Sequence, residues 1–391
     1  MKDFTFWSPT KVVFGKDAET KVGELAKEFD ANKALLHYGG ESAKKSGLLD
    51  RVKNSLKAAK IEFIEIGGVK PNPRISLVRE AAKVCAEHKV DFIIAVGGGS
   101  VLDSAKAIAL AVGNNCDAWD FYSHKSLPEK ALGVGCVPTL PAAGSEMSDS
   151  SVITNEDGNL KRGFSSALIH CKFAAMNPEL TFTLSPFQTQ CGCADIIMHT
   201  LERYFSTDND RAVFDGFAES LLKNVMRAAV KVKSAPRNYE ARSQIMLAAA
   251  MSHNDVTGWR NLGDWACHQL EHELSGMFDV AHGAGLTAIW PAWARYVYKA
   301  NAPRFAQLAV NVFGVQNDFG SPEKTAQAGI EAFEEFFDRL GMPINISKLG
   351  ITLTNSQIDE LAYKCSFENT RTVGCVVKLD MQDMKNIYAN A

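Results

Sequence analysis

The sequence predicts two domains, an α/β domain with a parallel sheet over residues 1–184 and an all-helical domain over residues 185–391. Three observations carry that reading. The first half alternates short β-rich runs with amphipathic stretches, the pattern of βαβ units and a parallel sheet. The second half, from Ser185-Pro186 onward, keeps a helical apolar periodicity with no strand signal between its long stretches. And 391 residues exceed the roughly 250 to 300 at which a single core stops growing.

Taken in order, Lys33–Tyr38 reads as a strand ending at Gly39-Gly40, and Lys44–Ala59 as the helix after it. Ile61–Ile66 reads as the next strand, followed by a helix from Ile75 to His88. Asp91–Val96 is a near-continuous apolar run, as expected of a central parallel strand buried on both faces. It runs into Gly97-Gly98-Gly99-Ser100, and a helix follows from Val101 to Val112. The segment Pro138 to Glu146 reads as a strand end opening into a loop of small and hydroxylated residues. Ser185-Pro186 supplies an N-cap and N1 pair for the first helix of the second half. Arg211–Val232 and Tyr239–His253 read as further helices. No internal repeat, low-complexity segment or Pro-rich linker interrupts the chain, so the two halves are expected to pack closely.

Composition excludes several function classes. A net charge of −3 gives no reason to expect nucleic acid or an anionic membrane as partner. No run approaches the ~20 apolar residues of a membrane span, and the first residues lack a basic segment followed by an apolar one, so a cytoplasmic location is expected. The nine cysteines are scattered without C-x-x-C spacing and read as reduced core residues, Cys191 and Cys193 included.

Two glycine junctions suggest anion binding. Gly97-Gly98-Gly99-Ser100 joins a strand to a helix, where backbone N–H groups and the helix dipole favour a phosphate; the plainer reading is a tight turn needing positive φ. The motif is neither G-x-G-x-x-G nor a Walker A sequence. Gly39, Gly40 and Ser42, with Lys44 and Lys45 close by, look like a loop for a ribose 2′-phosphate, whereas NAD-selective folds place a carboxylate there. Glu41 is the discordant residue.

The second half concentrates metal-binding chemistry. Asp195 and His199 are four residues apart and share one helix face, and His268 and His282 offer two more nitrogens. A mixed N/O set of this kind suits Zn(II) or Fe(II), and Ni(II) by the affinity order. His268, Glu271 and His272 also match H-x-x-E-H, in which both histidines bind zinc and the glutamate activates water in a metallopeptidase. Spacing leaves both sets open.

Taken in order along the chain, these residues resemble the iron-containing (group III) alcohol dehydrogenase family, most closely its NADPH-dependent butanol dehydrogenase-like branch. The resemblance spans essentially the full length. It rests on Gly67-Gly68-Val69-Lys70-Pro71-Asn72-Pro73, Gly97 through Lys106, Thr139 through Glu146, Asp195 through His199, and Gly263 through His268 with His282-Gly283-Ala284-Gly285-Leu286. It implies a Rossmann-like amino-terminal domain, a helical carboxy-terminal domain and an active cleft between them. It implies that Asp195, His199, His268 and His282 hold one divalent metal, Fe(II) or Zn(II), with His272 beside the substrate as the proton-transfer group. It further implies NADP(H), ahead of NAD(H), as the hydride carrier. It places Gly98, Gly99 and Ser100 at the pyrophosphate, Gly39, Gly40 and Ser42 at the 2′-phosphate, Asn72 and Thr139 along the cofactor and Lys161 near its ribose, with Gly97, Asp103, Leu140 and Ser145 as further cofactor-binding residues. Two positions depart from the family pattern. Glu41 stands where a third glycine is usual, and Ala143 where a threonine is.

The implied reaction moves hydride between NADP(H) and short aliphatic alcohols or aldehydes, in a homodimer. A lyase similar to dehydroquinate synthase, on the same fold, would need a basic phosphate-binding cluster that the second half lacks. Trp259, Trp265, Phe278, Trp290 and Trp293 are candidate walls for an apolar substrate pocket.

Overall fold

In the computed structural model, residues 3–206, 211–258 and 263–391 are described. The chain divides into two compact units, Trp7–Leu184 on one side and Ser185–Ala391 with Met1–Phe6 on the other. Residues 1–6 were expected with the α/β part. The described end of that segment instead packs with the helices, the Phe4 ring standing edge-on to Phe214 at 6.2 Å.

The first unit opens with β1 (Lys11–Phe14), α1 (Val22–Lys27) and β2 (Lys33–Tyr38). A short α2 (Ser42–Lys45) and α3 (Leu48–Ala58) follow, where one helix from residue 44 was expected. Gly47 breaks it at φ +69°, a left-handed conformation that glycine adopts without steric cost. Next come β3 (Glu62–Ile66), α4 (Ile75–Glu87), β4 (Phe92–Gly98), α5 (Gly99–Asn114), the short α6 (Trp119–Tyr122) and β5 (Gly133–Leu140). An antiparallel hairpin, β6 (Ser150–Asn155) with β7 (Leu160–Ser165), precedes β8 (Phe173–Met176). The hairpin escaped the sequence reading because its apolar residues, Val152, Ile153, Leu160 and Phe164, are too few among polar ones to mark a strand. Its turn nonetheless carries Gly158 and Asn159 at positive φ.

Six strands form one parallel sheet in the order β1-β8-β5-β4-β2-β3. From β2 the chain moves outward to β3, and from β4 it moves to β5 on the opposite side. Adjacent strands β2 and β4 therefore send their connections in opposite directions. This is the switch point at which open α/β sheets leave a crevice beyond the carboxyl ends of their strands. Gly39-Gly40 and Gly97-Gly98-Gly99 follow these two strands.

A buried histidine ties the switch point together. On β2, His37 Nδ1 lies 3.0 Å from the Ile66 carbonyl, which can only accept, so Nδ1 carries the proton. Nε2 then accepts from the Ser104 hydroxyl on α5 at 2.9 Å. Burial holds this imidazole down to about 4, against a partial upward pull from the Ile66 carbonyl.

The second unit is helical: α7 (Pro186–Tyr204), α8 (Ala212–Ser234), α9 (Tyr239–Ser252), α10 (Ala266–Phe278), α11 (His282–Val297), α12 (Ala302–Phe313), α13 (Pro322–Leu340), α14 (Asn355–Cys365) and α15 (Met381–Asn390). Ser185 caps α7 in a full capping box with Gln188. Among the described residues of this unit, β pairing is confined to the isolated bridges Ser206 to Gly263 and Val373 to Leu379. Trp290 and Trp293 are buried in its core, Trp290 stacked on Phe333 and Trp293 edge-on to Phe205. They serve the core and are not pocket walls. Trp259 lies outside the described residues. No described helix is long and apolar enough to cross a membrane.

His37 yields a pH prediction. Its folded value lies below the unfolded 6.5, so the unfolded chain binds the extra proton and stability falls as pH drops from 6.5 toward 4. Replacing it, His37→Gln, should shrink the stability difference between pH 7 and pH 4.5 by about 2 to 3 kcal/mol. Urea titrations of both proteins at the two pH values measure this; equal differences would show that His37 does not titrate as described.

Candidate metal centre and nucleotide site

The metal-site candidates lie on three helices of the second unit. Asp195 and His199 are one turn apart on α7, His268 and His272 one turn apart on α10, and His282 is the first residue of α11. Asp195, His268 and His282 each offer a ligand atom within 4.8 Å of the others. Asp195 Oδ1 is 3.5 Å from His199 Nδ1, 3.8 Å from His268 Nε2 and 3.7 Å from His282 Nε2. His199 stands just outside the tightest trio, its ring stacked on that of His268 at 4.6 Å.

Three of these atoms, Asp195 Oδ1, His199 Nδ1 and His268 Nε2, are buried without a hydrogen-bond partner. Each such group costs about 1–3 kcal/mol when left unsatisfied. Asp195 Oδ1 and His268 Nε2 belong, with His282, to the trio close enough to share one cation, so that donor set fits a divalent ion of the Fe(II) or Zn(II) kind, and His199 Nδ1 must move inward to join it.

Two glutamates fix the rings. Glu202, on α7, accepts from both the backbone N–H and ring Nδ1 of His268, at 3.0 and 2.9 Å through the same oxygen. His268 lies in the first turn of α10, whose amide N–H groups lack intrahelical acceptors, so one carboxylate both caps the helix and turns Nε2 toward Asp195. Asp264 completes the cap, accepting from the N–H groups of Ala266, Cys375 and Val376 at 3.1, 2.7 and 2.8 Å. Burial, reinforced by the charge of Glu202, lifts its carboxyl to about 6. The third helix is served by Glu271, which is wholly buried and takes hydrogen bonds from His282 Nδ1 and the Ser275 hydroxyl. Carboxylates of this kind set the tautomer and aim of a ligating imidazole.

Burial opposes protonation of both His199 and His268. Nothing offsets it at His199, which is held well below its ordinary value. At His268 the two carboxylates Asp195 and Glu202 outweigh burial and lift it to about 9, so an ion bound at Nε2 must displace a proton. Nearby Cys191 and Cys193 are pushed up to about 12, chiefly by burial, so neither supplies a ready thiolate.

The H-x-x-E-H peptidase reading fails on this geometry. It needs His268 and His272 on one ion with Glu271 facing water, but Glu271 is turned to His282 and Ser275. The His268 and His272 rings lie 6.5 Å apart and edge-on. His272 sits 5.7 Å from the His282 ring, beside the ligand group.

Close helix contact makes this possible. A β-carbon on Gly283 would meet the Cys191 carbonyl oxygen at 2.1 Å, and one on Gly285 would meet Glu271 Oε1 at 2.7 Å. The Gly283 and Gly285 positions let α11 approach α7 and α10. Sequence reasoning missed Glu202 and the orienting role of Glu271: each stands three residues after a candidate histidine, His199 and His268, but the ring each one holds lies on a different helix, which spacing does not reveal.

The nucleotide candidates lie in the first unit. Gly97 and Gly98 end β4, and Gly99 and Ser100 open α5, whose amino end has no side-chain cap. None of the three glycines has positive φ. Their smallness serves close packing instead: a β-carbon on Gly97 would meet Val101 at 2.4 Å. This removes the tight-turn explanation and leaves uncapped N–H groups at a switch point, which fits a pyrophosphate. Gly39, Gly40 and Ser42 follow the adjacent β2, and a β-carbon on Gly40 would meet open space. Thr139 and Leu140 end β5, Ser145 lies in the loop beyond, and Lys161 is buried on β7 opposite Thr154. The Thr154 N–H donates to the Pro73 carbonyl at 2.8 Å, so the unforeseen hairpin brings Lys161 alongside the segment carrying Asn72. Asp103 has both carboxylate oxygens engaged by the protein, from the Ser145 hydroxyl at 2.7 Å and the Val152 N–H at 3.0 Å.

A switch-point glycine turn in one unit and a buried aspartate–histidine cluster in the other are the features expected of an enzyme that uses a nucleotide and a metal. Comparison with known proteins identifies the family. Residues 9–178 match the iron-containing alcohol dehydrogenase model, and residues 189–391 match that of the family's carboxy-terminal region. The chain belongs to the iron-containing alcohol dehydrogenase family, in its butanol dehydrogenase-like branch. It is 38% identical over 387 residues to a probable NADH-dependent butanol dehydrogenase of Bacillus subtilis, covering 99% of each chain. It is 35% identical over 394 residues to the NADPH-dependent aldehyde reductase YqhD of Escherichia coli, covering 100% of each. The crystal structure of an NADH-dependent butanol dehydrogenase A from Thermotoga maritima superposes with a TM-score of 0.94 at 37% identity, over 100% of this chain and 98% of that one. The protein is therefore a metal-dependent, nicotinamide-linked alcohol dehydrogenase, and neither the peptidase nor the lyase reading is supported.

Substituting Gly285→Ala should drive Glu271 off His282. Metal affinity should fall about 10- to 100-fold, with about 1–3 kcal/mol lost from stability. Chelator competition and thermal unfolding read the two effects; unchanged metal affinity would show that Glu271 does not orient His282.

Proposed function

We propose that this protein interconverts short aliphatic aldehydes and alcohols with NADP(H), through one Fe(II) or Zn(II) ion held by Asp195, His199, His268 and His282. The observation that carries the metal assignment is the trio Asp195, His268 and His282, whose ligand atoms lie within 4.8 Å of one another while Asp195 Oδ1 and His268 Nε2 are buried without a hydrogen-bond partner. When bound, the ion supplies Lewis acidity toward a substrate oxygen and the nicotinamide supplies or accepts hydride. The protein's part is to keep that oxygen and a proton donor in place. Glu202 and Glu271 hold the two imidazoles that would otherwise rotate. His272, 7% exposed and next to His282, is placed to exchange the proton of the alcohol, directly or through water.

For the cofactor, the absence of a carboxylate at Gly39 and Gly40 and the open space beside Gly40 support a 2′-phosphate. Glu41 does not stand as an isolated charge: its carboxylate pairs with the Lys44 ammonium at 3.1 Å, on the exposed rim of the loop. The names of the relatives point both ways, so this preference rests on the loop. We assign Gly97 to Ser100 to the pyrophosphate, with Asn72, Thr139, Leu140 and Lys161 along the remainder. A homodimer in the cytoplasm is part of the same reading.

Asp195→Ala should lose bound metal and at least about a hundredfold of turnover with the fold preserved, since one ligand of four contributes several kcal/mol to ion binding. Metal analysis and butanal reduction rates, taken with NADPH and with NADH, test both halves of the proposal. Full turnover in metal-stripped protein would reject the metal centre, and equal or faster rates with NADH would reverse the cofactor order.

His272→Phe should retain metal while turnover drops by about 10²- to 10⁴-fold, the usual share of general acid–base catalysis. Its pH–rate profile should lose one limb. An unchanged rate and profile would remove His272 from proton transfer.

A further inference from the structure

Lys106 is fully buried on α5, two turns from Gly99, and no step above uses it. An ammonium has three N–H donors, and all three go to backbone carbonyls of one segment. Nζ lies 2.7 Å from the Ser145 oxygen, 2.8 Å from that of Ser148 and 2.9 Å from that of Ser150. Withdrawing a cation from water costs several kcal/mol unless its hydrogen bonds are replaced, so this segment's course is bound to the position of Nζ. One turn earlier, Asp103 grips the same segment through the Ser145 hydroxyl and the Val152 N–H. The helix thus holds the loop with a cation that takes its carbonyls and an anion that takes its donors.

The start of that loop is pressed onto the glycine turn. A β-carbon on Gly98 would lie 3.2 Å from the Leu140 β-carbon, and one on Gly99 would lie 3.1 Å from that of Ala143. One helix therefore carries the uncapped N–H groups of the turn at its first residues and the two anchors of the facing loop at Asp103 and Lys106.

We infer that Lys106 is a positioning residue for the nicotinamide cofactor, its three carbonyl hydrogen bonds setting the spacing between the Leu140–Ser145 loop and the Gly97–Ser100 turn. The inference rests on the assignment of that turn to the cofactor. Lys106 does not touch the nucleotide; it acts through the loop. Asp103, read from the sequence as a cofactor contact, is the partner anchor.

The test is nucleotide affinity measured without turnover. Binding of NADPH and of NADH to Lys106→Met is followed by calorimetry with no alcohol or aldehyde present, alongside steady-state rates and metal content. Kd and KM for the preferred nucleotide should each rise about tenfold or more, as expected when a binding wall shifts by a fraction of an ångström. Metal per chain and kcat at saturating nucleotide should stay within about twofold of the parent, because the metal helices lie in the other unit. Asp103→Asn, which keeps one acceptor oxygen, should give a smaller rise in the same direction, and it carries the test where Lys106→Met does not fold. Unchanged nucleotide Kd in a variant with a lowered melting temperature would make Lys106 a core residue only and overturn the inference. A parent protein that binds neither nucleotide would overturn the cofactor reading along with it.

Discussion

The carboxylate of Asp195 faces imidazole nitrogens inside a helical core, and the rest of that unit is arranged around this fact. Burying an anion and several unpaired nitrogens together is unfavourable unless a cation joins them and their other atoms are held. Glu202 and Glu271 hold the outer nitrogens of His268 and His282. Asp264 holds the start of α10, and the small residues Gly283 and Gly285 let α11 come close enough for its first residue to take part. Polar groups that would be liabilities in an ordinary helical core are gathered and oriented as the proposed metal centre requires, with three atoms still unsatisfied.

The α/β unit solves a different problem by a related route. Here the charge to be accommodated is expected on a ligand, and the protein offers backbone N–H groups at a point where two strand connections diverge. Close packing requires glycine at Gly97, and the facing loop is fastened by Lys106 and Asp103 from within the same helix. His37, neutral through burial, links β2, β3 and α5 just beneath the turn. In each unit a buried titratable side chain keeps the backbone in place.

Much of the fold was legible because burial imposes period on sequence. The run Phe92 to Val96 is apolar throughout because β4 is central and covered on both faces, and α7 was marked by Ser185 and Pro186 at its start. The hairpin β6–β7 was not legible, since its few apolar residues are interspersed with polar ones and its holds on the rest of the unit, from Lys106, Asp103 and the Pro73 carbonyl, are distant in sequence. The helix expected from residue 44 is broken by one residue, Gly47, whose positive φ no periodicity reveals. Of the aromatic candidates for a pocket, Trp290 and Trp293 turned out to fill the helical core.

By itself the sequence determined the alternation that makes a parallel sheet, the helical second half, the glycine junctions and the residues able to bind a metal. Resemblance to a family added which of them act together. Only the tertiary structure decided between Glu271 as a water-activating base and Glu271 as the carboxylate behind His282, because that depends on where α11 lies against α10. It also singled out Glu202 and Lys106, whose partners are 66 residues away and 39 to 44 residues away along the chain. A ligand's identity is a matter of side-chain chemistry and is written locally. Its orientation is a matter of which distant carboxylate or carbonyl is brought within hydrogen-bonding distance, and the packing of helices, strands and loops sets that.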